Sequence, residues 1–411
     1  MNGYIRSVFV IAGILLVITS CDLANVSQNS IKPKLSQTES DVLESGNSFS
    51  ISLFKQLTKE DTSSTNLVIS PLSASIALGM TMNGAMGKTK EEMKSVLRVK
   101  KFNLDQINNT YKKTIEDLIQ MDPEVDVKLA NAIFYRQNIG NDKLILKKSF
   151  ENKIKQYFNA ELSNDFRAKA MNNWVTNNTN GKITKLVKSV DKNSYLVLLN
   201  ALYFKGIWRL PFDEENTKDQ EFYTSKNDTV QVPFMRRQGG FSYFNNEKIT
   251  TVDIAYGDSL YSMTFLMPRK EYGINQITNQ LTEDKIQTLI SNLKNADKSH
   301  IQLPKFTIKY DTKLNNVLQS MGMNIAFSNN KANFSNIFEN SLSNLAISLV
   351  RQKVYIKVNE EGTEAAAATE VKLNRSGENI FNFDQPFIFV IRERIGNSIL
   401  FMGKVGNPKY Q

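Results

Sequence analysis

The stretch Tyr195-Leu-Val-Leu-Leu-Asn200-Ala-Leu-Tyr-Phe204 is almost continuously apolar. Such a run is typical of a strand that is covered on both faces, whereas a strand with one solvated face alternates apolar and polar residues. The stretch therefore predicts a strand in the centre of a sheet. Asn200 interrupts the run. Because a buried amide must find hydrogen-bond partners, we expect Asn200 to belong to a specific polar network.

Helical patterns precede this strand, and further strand patterns follow it. Residues 49–57 carry apolar side chains at helical spacing. Ser70-Pro71 predicts a helix start with Ser as the cap, and Thr89 with Glu92 predicts a capping box at the next helix. Strand patterns occupy residues 127–134, 353–358, 387–390 and 398–402. With no internal repeat or second linker after residue 46, residues 46–411 are predicted to form one α+β domain.

Composition excludes several classes of function. The chain has 411 residues, 41% of them hydrophobic, and a net charge of +10 from scattered lysines, so we expect no nucleic-acid partner. Its one Cys and one His, Cys21 and His300, allow no intramolecular disulfide and no zinc site. A hydrolase triad would need His300, which lies in a polar stretch, and no Gly-x-Ser-x-Gly turn occurs. We therefore predict a protein that is not an enzyme and uses no cofactor or metal, and we expect it to be a monomer.

The first residues of the sequence have the pattern of an export signal. Residues 1–6 carry one positive charge, and the apolar run over residues 8–17 is too short to span a bilayer comfortably. The run ends in Val17-Ile-Thr-Ser-Cys21, which resembles the bacterial lipobox. That resemblance implies a signal peptide over residues 1–20 and a lipid on the Cys21 sulfur. The alternative is an ordinary signal peptide with an incidental Cys.

We accordingly expect an exported protein, anchored through Cys21 to a bacterial outer membrane and facing either the periplasm or the medium. Residues 21–45 are rich in Ser, Asn, Gln and Lys, which predicts a flexible tether between lipid and domain.

One segment near the end of the domain carries two overlapping patterns. Residues 359–377 read Asn-Glu-Glu-Gly-Thr-Glu-Ala-Ala-Ala-Ala-Thr-Glu-Val-Lys-Leu-Asn-Arg-Ser-Gly. The four alanines favour a helix. Every second residue from Thr363 to Leu373 is nevertheless small or apolar, and the alternate residues are mostly polar. This period of two predicts a segment that can form a strand with one face toward a core.

Several motifs spread over residues 46–409 resemble those of the serpins, a family of serine protease inhibitors. The 359–377 segment resembles the hinge of their reactive-centre loop, which would span about residues 359–382. The other motifs are Asn66-Leu-Val-Ile-Ser70-Pro71-Leu-Ser73, Asn200-Ala-Leu-Tyr-Phe-Lys-Gly206-Ile-Trp208 with Pro211-Phe212, Leu303-Pro304-Lys305-Phe306, Gln385-Pro386-Phe387 and Phe401-Met-Gly403-Lys-Val-Gly-Asn-Pro408.

The resemblance implies a serpin fold of about nine helices around three β-sheets, with the reactive-centre loop exposed. It also implies a suicide-substrate mechanism. A serine protease cleaves the loop, and the hinge over residues 362–373 then inserts into the main sheet before the acyl bond hydrolyses. By resemblance the hinge comprises Glu360, Glu361, Gly362, Thr363, Glu364, Ala365, Ala366, Ala367 and Ala368.

Small hinge side chains would meet little steric resistance, whereas a charge at Thr363 would have to be buried. Gly362 supplies backbone freedom at the pivot. By resemblance, Glu360 pairs with Lys305 near Trp208, where the sheet opens. Either this pair has that role or it is an ordinary surface salt bridge.

The family's sheet-opening gate is matched by Ser70, Ser73 and Asn200. Gln352 stands where the family has a histidine, and its amide can donate and accept in place of the imidazole.

Two bonds compete as the cleaved bond. Arg375-Ser376 suits trypsin-like proteases, while Ser376-Gly377 suits elastase-like or subtilisin-like enzymes with small pockets. We favour Arg375-Ser376, with both bonds open to use and Lys372 as a third choice. The main alternative to inhibition is a non-inhibitory serpin that acts as a binding or carrier protein. An unrelated surface-binding lipoprotein is a third reading, and a hydrolase a fourth.

Overall fold

The computed structural model describes residues 33–139, 142–192, 194–225, 228–340, 345–363 and 379–411. Within those ranges nine α-helices form, as the resemblance implied. They are α1 (Gln37–Glu60), α2 (Pro71–Met82), α3 (Gly87–Val96), α4 (Leu104–Gln120), α5 (Lys148–Phe158), α6 (Ala168–Asn178), α7 (Ile274–Gln280), α8 (Glu283–Ser291) and α9 (Asn315–Ser320). None of these described helices is both long enough and apolar enough to cross a bilayer.

Four strands of the same ranges have 11 or 12 residues, and three of those four lie in the main sheet. The strands are β1 (Leu67–Ile69), β2 (Val125–Tyr135), β3 (Asn138–Ile139), β4 (Asp142–Lys143), β5 (Glu161–Ser163), β6 (Leu196–Ile207), β7 (Lys218–Ser225), β8 (Asp228–Gln238), β9 (Ser242–Asn245), β10 (Ile249–Tyr256), β11 (Tyr261–Pro268), β12 (Lys294–Asn295), β13 (His300–Pro304), β14 (Phe306–Lys313), β15 (Ile347–Val358), β16 (Gly362–Thr363), β17 (Ile380–Asn382), β18 (Phe387–Glu393) and β19 (Ile399–Val405).

Three sheets and one small ribbon contain these strands. The main sheet has the order β14-β15-β16-β6-β2-β5. A seven-stranded sheet has the order β1-β19-β18-β11-β10-β9-β12, and a four-stranded sheet has the order β17-β13-β8-β7, while β3 and β4 pair only with each other. The predicted α+β class, with about nine helices around three sheets, agrees with the elements of the described residues.

The apolar run over residues 195–204 forms most of β6, a central strand of the main sheet. Its residues are buried from Leu196 to Phe204. β6 pairs with β2 over the whole length of β2, from Val125 opposite Gly206 to Tyr135 opposite Leu196. One face of the pair is covered by α6 and the chain that follows it, through a cluster that includes Trp174 and Leu186. Coverage on both faces explains why the strand has no polar alternation.

The folded domain begins earlier than residue 46. Ser36 and Glu39 form a reciprocal capping box at the start of α1, and Val42 and Leu43 are buried. Residues 37–45 are therefore helix and not tether, which corrects the predicted 21–45 boundary. The Ser- and Asn-rich composition was misleading, because the few apolar side chains are spaced to face the core. Residues 1–32, including Cys21 and the predicted signal peptide, lie outside the described residues.

The two predicted helix starts have different outcomes. Ser70 caps α2, and its hydroxyl accepts from the Ser73 N–H at 3.4 Å, with Pro71 at the first helical position. The capping box predicted at Thr89 is wrong, because α3 already begins at Gly87. The Thr89 hydroxyl accepts from the Asn333 N–H at 2.9 Å, a tertiary contact that local sequence does not announce.

Candidate functional site: the opening of the main sheet

The main sheet is divided between β6 and β15. At one end these parallel strands pair directly, from Leu196 opposite Ile347 to Leu199 opposite Arg351. At the other end, β16 lies between them and runs antiparallel to both. Thr363 is opposite Gly206 on one side and opposite Val358 on the other. Gly362 and Thr363, the first two residues of the 362–373 segment, are therefore already part of the sheet.

Thr363 is completely buried, with 0% of its surface exposed. Its hydroxyl lies 2.8 Å from the hydroxyl of Tyr256 on β10, a strand of the seven-stranded sheet. Burial raises the pKa of Tyr256 far above its ordinary value, so this hydroxyl stays neutral and able to donate. The position accepts a small polar side chain, and a larger or charged one would have no partner there.

Gly362 makes the bend that leads into β16. Its φ is +153°, and a Cβ at this position would lie 2.1 Å from the Gly206 carbonyl oxygen. The pivot therefore requires glycine both for its backbone conformation and for the close approach to β6. The Asn359 side-chain oxygen accepts from the Gly362 N–H at 3.2 Å, and the Asn359 N–H donates to the Gly362 carbonyl at 3.0 Å.

The ion pair expected between Lys305 and Glu360 is present. Lys305 Nζ lies 2.8 Å from Glu360 Oε2, and the side chains are 16% and 3% exposed. This is not a solvated surface pair. The Thr217 hydroxyl donates to the other carboxylate oxygen at 2.7 Å, and the Glu360 carbonyl accepts from the Phe212 N–H at 2.7 Å. Glu360 is thus fixed through both its side chain and its backbone.

Trp208 holds the same turn from beneath. Its indole Nε1 donates to the Asn359 carbonyl at 3.0 Å, and its backbone N–H donates to the Glu361 carbonyl at 2.7 Å. Its ring stacks on Tyr256 with centroids 4.3 Å apart and planes 11° apart. The stacked rings of Trp208 and Tyr256 therefore connect the turn at residues 359–361 to the hydroxyl of Thr363, which contacts Tyr256.

Gln352 and Ser70 form the closest contact of the predicted gate. Gln352 Oε1 accepts from the Ser70 N–H at 2.7 Å, and Nε2 donates to the Ser70 carbonyl at 2.8 Å. Both residues are buried. The amide fills both roles because one of its atoms donates and the other accepts. It joins β15 to the start of α2, just beyond the last direct pairing of β15 with β6.

Asn200 lies on β6 and faces a second asparagine, Asn131, which is its register partner on β2. Asn200 Nδ2 donates to Asn131 Oδ1, and Asn131 Nδ2 donates to the Phe158 carbonyl at 3.2 Å. The expected polar network exists, although the Asn200 oxygen is buried without a hydrogen bond. Among the described residues, no hydrogen bond joins Asn200 to Ser70, Ser73 or Gln352.

The remaining predicted positions lie outside the described residues. These are the hinge residues Glu364, Ala365, Ala366, Ala367 and Ala368, and the candidate cleavage residues Arg375, Ser376 and Gly377. The next described residue is Asn379. Its carbonyl accepts from the His300 N–H at 2.9 Å, next to the parallel pairing of β17 with β13.

Sequence reasoning missed three residues of the site. Asn131 had a usable signal, since it is an amide inside an apolar strand pattern, as Asn200 is. Tyr256 and Thr217 had none, because their partners Thr363 and Glu360 are more than a hundred positions away along the chain.

The fold and this site define an α+β protein whose main sheet divides between two central strands and holds a short hinge at the division. The chain belongs to the serpin family, since the family model described as serpin (serine protease inhibitor) matches residues 44–408. The family is described by protease inhibition and not by an enzymatic activity.

Individual relatives agree with the family. Human alpha-1-antichymotrypsin is 33% identical over 88% of this chain and 86% of its own length. The native state of tengpin, a thermophilic serpin, has a TM-score of 0.81 at 29% identity and covers 92% of this chain and 96% of its own. Human thyroxine-binding globulin in complex with thyroxine has a TM-score of 0.82 at 28% identity, over 90% and 100%.

Proposed function

We propose that this serpin is an inhibitor of serine proteases that acts as a suicide substrate. A protease cleaves the loop near Arg375 or Ser376, and the hinge over residues 362–373 inserts between β6 and β15 while the acyl bond is intact. The observation that carries the proposal is the position of Thr363, which already pairs with both strands. Further insertion would extend a pairing that has begun.

The physical basis is the sequence beyond Thr363. Residues that follow it at every second position would face the same side of the sheet. They are Ala365, Ala367, Thr369, Val371 and Leu373, which are small or apolar. A strand of this composition can fill the division without burying an unpaired charge.

The partners and the location belong to the same proposal. Arg375 favours trypsin-like targets, and Ser376 favours elastase-like or subtilisin-like targets. The lipobox-like sequence before Cys21 supports export and attachment to a bacterial outer membrane by lipid. The protein would then meet proteases as a tethered monomer.

The test mixes the purified domain with trypsin and with elastase and separates the products on denaturing gels. A covalent complex larger than either protein supports inhibition. Cleaved protein without a complex supports the non-inhibitory alternative of a binding or carrier serpin. Mass spectrometry of the released peptide identifies the cleaved bond. Melting of the nicked protein gives a second measurement, because an inserted hinge would raise Tm well above that of the intact protein.

A further inference from the structure

A tyrosine outside the recognised motifs contacts the lysine that holds the hinge. Lys305 Nζ lies 4.3 Å from the centroid of the Tyr410 ring. A second ammonium, from Lys357 on β15, lies 4.7 Å from the same centroid. The negative face of an aromatic ring attracts cations at such distances. One ring therefore contacts two ammonium groups.

The backbone around Tyr410 fixes the ring in this position. The Lys409 carbonyl accepts from the Thr307 N–H at 2.6 Å, and the Thr307 hydroxyl lies within hydrogen-bond distance of Gln411. Thr307 is on β14, the edge strand of the main sheet, directly opposite Lys357 on β15. Residues 409–411 thus lie along the open edge of β14 and place the ring over the lysines.

The same Lys305 ammonium makes the buried ion pair with Glu360. Tyr410 on one side and Glu360 on the other therefore limit where the ammonium can move. Long lysine side chains lose considerable conformational freedom when they are held in one geometry. A ring that already confines Lys305 leaves less of that freedom to be lost in the contact with Glu360.

We propose that Tyr410 is a positioning residue for the hinge. It acts through Lys305 and keeps the turn at residues 359–361 docked on Trp208. The inference deepens the proposed function and rests on it, because it concerns the same hinge. Its test nevertheless measures the hinge directly and needs no protease.

The test compares hydrogen–deuterium exchange of a peptide spanning residues 359–363 in four single variants. Tyr410→Ala and Tyr410→Leu remove the ring, and Leu keeps an apolar side chain of moderate size. Tyr410→Phe keeps the ring and removes only the hydroxyl. Tyr272→Ala is the control for loss of a tyrosine ring elsewhere, since Tyr272 has a longer lysine contact, with Lys248 at 5.9 Å, and lies far from the hinge in sequence.

We expect Tyr410→Ala and Tyr410→Leu to exchange about two- to fivefold faster than wild type, the usual strength of one such contact. Tyr410→Phe should match wild type. The chain has two tryptophans, so Trp174→Phe leaves Trp208 as the remaining one. In that background Tyr410→Ala and Tyr410→Leu should show altered Trp208 fluorescence. In a Lys305→Met background, Tyr410→Leu should have no further effect.

Wild-type exchange in Tyr410→Leu overturns the proposal, as does equal acceleration in Tyr272→Ala. An undiminished effect in the Lys305→Met background also overturns it, because Tyr410 would not act through Lys305. If wild-type protein traps no protease but the exchange results are as expected, the inhibitory function fails and the positioning role stands. The reverse combination leaves inhibition intact and removes the role of Tyr410.

Discussion

The hydroxyl of Thr363 lies 2.8 Å from the hydroxyl of Tyr256, so the hinge is anchored to the sheet behind as well as to its two neighbouring strands. In the intact chain Thr363 therefore already pairs with both strands between which we propose that the hinge inserts. This contact identifies Thr363 as the position at which a substitution should decide between trapping and simple cleavage.

Under the proposed mechanism, replacement of Thr363 by Arg should convert this chain from an inhibitor into a substrate of the protease. The guanidinium would have to be buried without a partner, at a cost of several kcal/mol, so the hinge would leave the sheet and insertion would be too slow to preserve the acyl bond. Denaturing gels should show cleaved protein and little covalent complex. Thr363→Ser is the control, because it keeps the hydroxyl and the small volume. Undiminished complex formation by Thr363→Arg would show that residue 363 does not enter the sheet.

The two partners of the buried ion pair should respond unequally to substitution. Lys305→Met removes the cation from the Glu360 carboxylate, which is 3% exposed and keeps the hydrogen bond from the Thr217 hydroxyl. Loss of one partner of a buried pair destabilises by about 3–5 kcal/mol. Glu360→Gln leaves the Lys305 ammonium without its counter-ion, but that side chain is 16% exposed and keeps the Tyr410 ring, so we expect a smaller loss, of about 1 kcal/mol. Urea unfolding measures both variants. The opposite order would mean that the Glu360 carboxylate is well solvated without Lys305.

The sequence predicted those features of the site that a single short segment encodes, and it did not predict contacts between distant segments. The central strand, the cap at Ser70 and the pivot at Gly362 follow from apolar runs, capping chemistry and backbone freedom, all of which a single segment expresses. The Lys305–Glu360 pair came only from family resemblance. The burial of this ion pair, and the contacts of Tyr256 and Thr217, depend on segments that are far apart in the chain.

Two expectations failed for related reasons. Residues 37–45 are polar on average, yet Val42 and Leu43 are spaced to bury one face of α1. Thr89 has the spacing of a helix cap, yet α3 starts two residues earlier and Thr89 bonds to Asn333 instead. In both cases a tertiary contact outweighed local composition.

Gln352→Glu should destabilise the gate although it preserves size. A carboxylate can still accept from the Ser70 N–H but cannot donate to the Ser70 carbonyl, which Gln352 Nε2 now satisfies at 2.8 Å. The Ser70 carbonyl still accepts from the Ala74 N–H at 3.2 Å, so the lost hydrogen bond costs about 1 kcal/mol, and an ionised carboxylate would in addition repel that carbonyl. Gln352→His should be milder, because imidazole retains a donor and an acceptor. Chemical denaturation distinguishes the two, and equal stabilities would contradict a donor role for Nε2.

The contact between α1 and α8 should make stability depend on pH. Burial raises the pKa of the Glu283 carboxyl to about 7, the hydrogen bond from Ser48 opposes this rise, and the charges of Glu44 and Asp284 add to it. The folded state therefore binds this proton more tightly than the unfolded chain, whose value is near 4.5. The stabilisation is complete below pH 4.5 and is lost as pH rises through 7.

Glu283→Gln should remove this component, because the amide stays neutral at every pH. Thermal melts between pH 5 and pH 8 should show a Tm that falls less steeply than that of wild type, with the variant at or above wild type near pH 8. Glu91→Gln, an exposed change on α3, should retain the wild-type slope. A Glu283→Gln variant with the wild-type slope would mean that this carboxyl titrates as an ordinary solvated group, and that Ser48 and Glu283 do not form a pH-sensitive contact between the two helices.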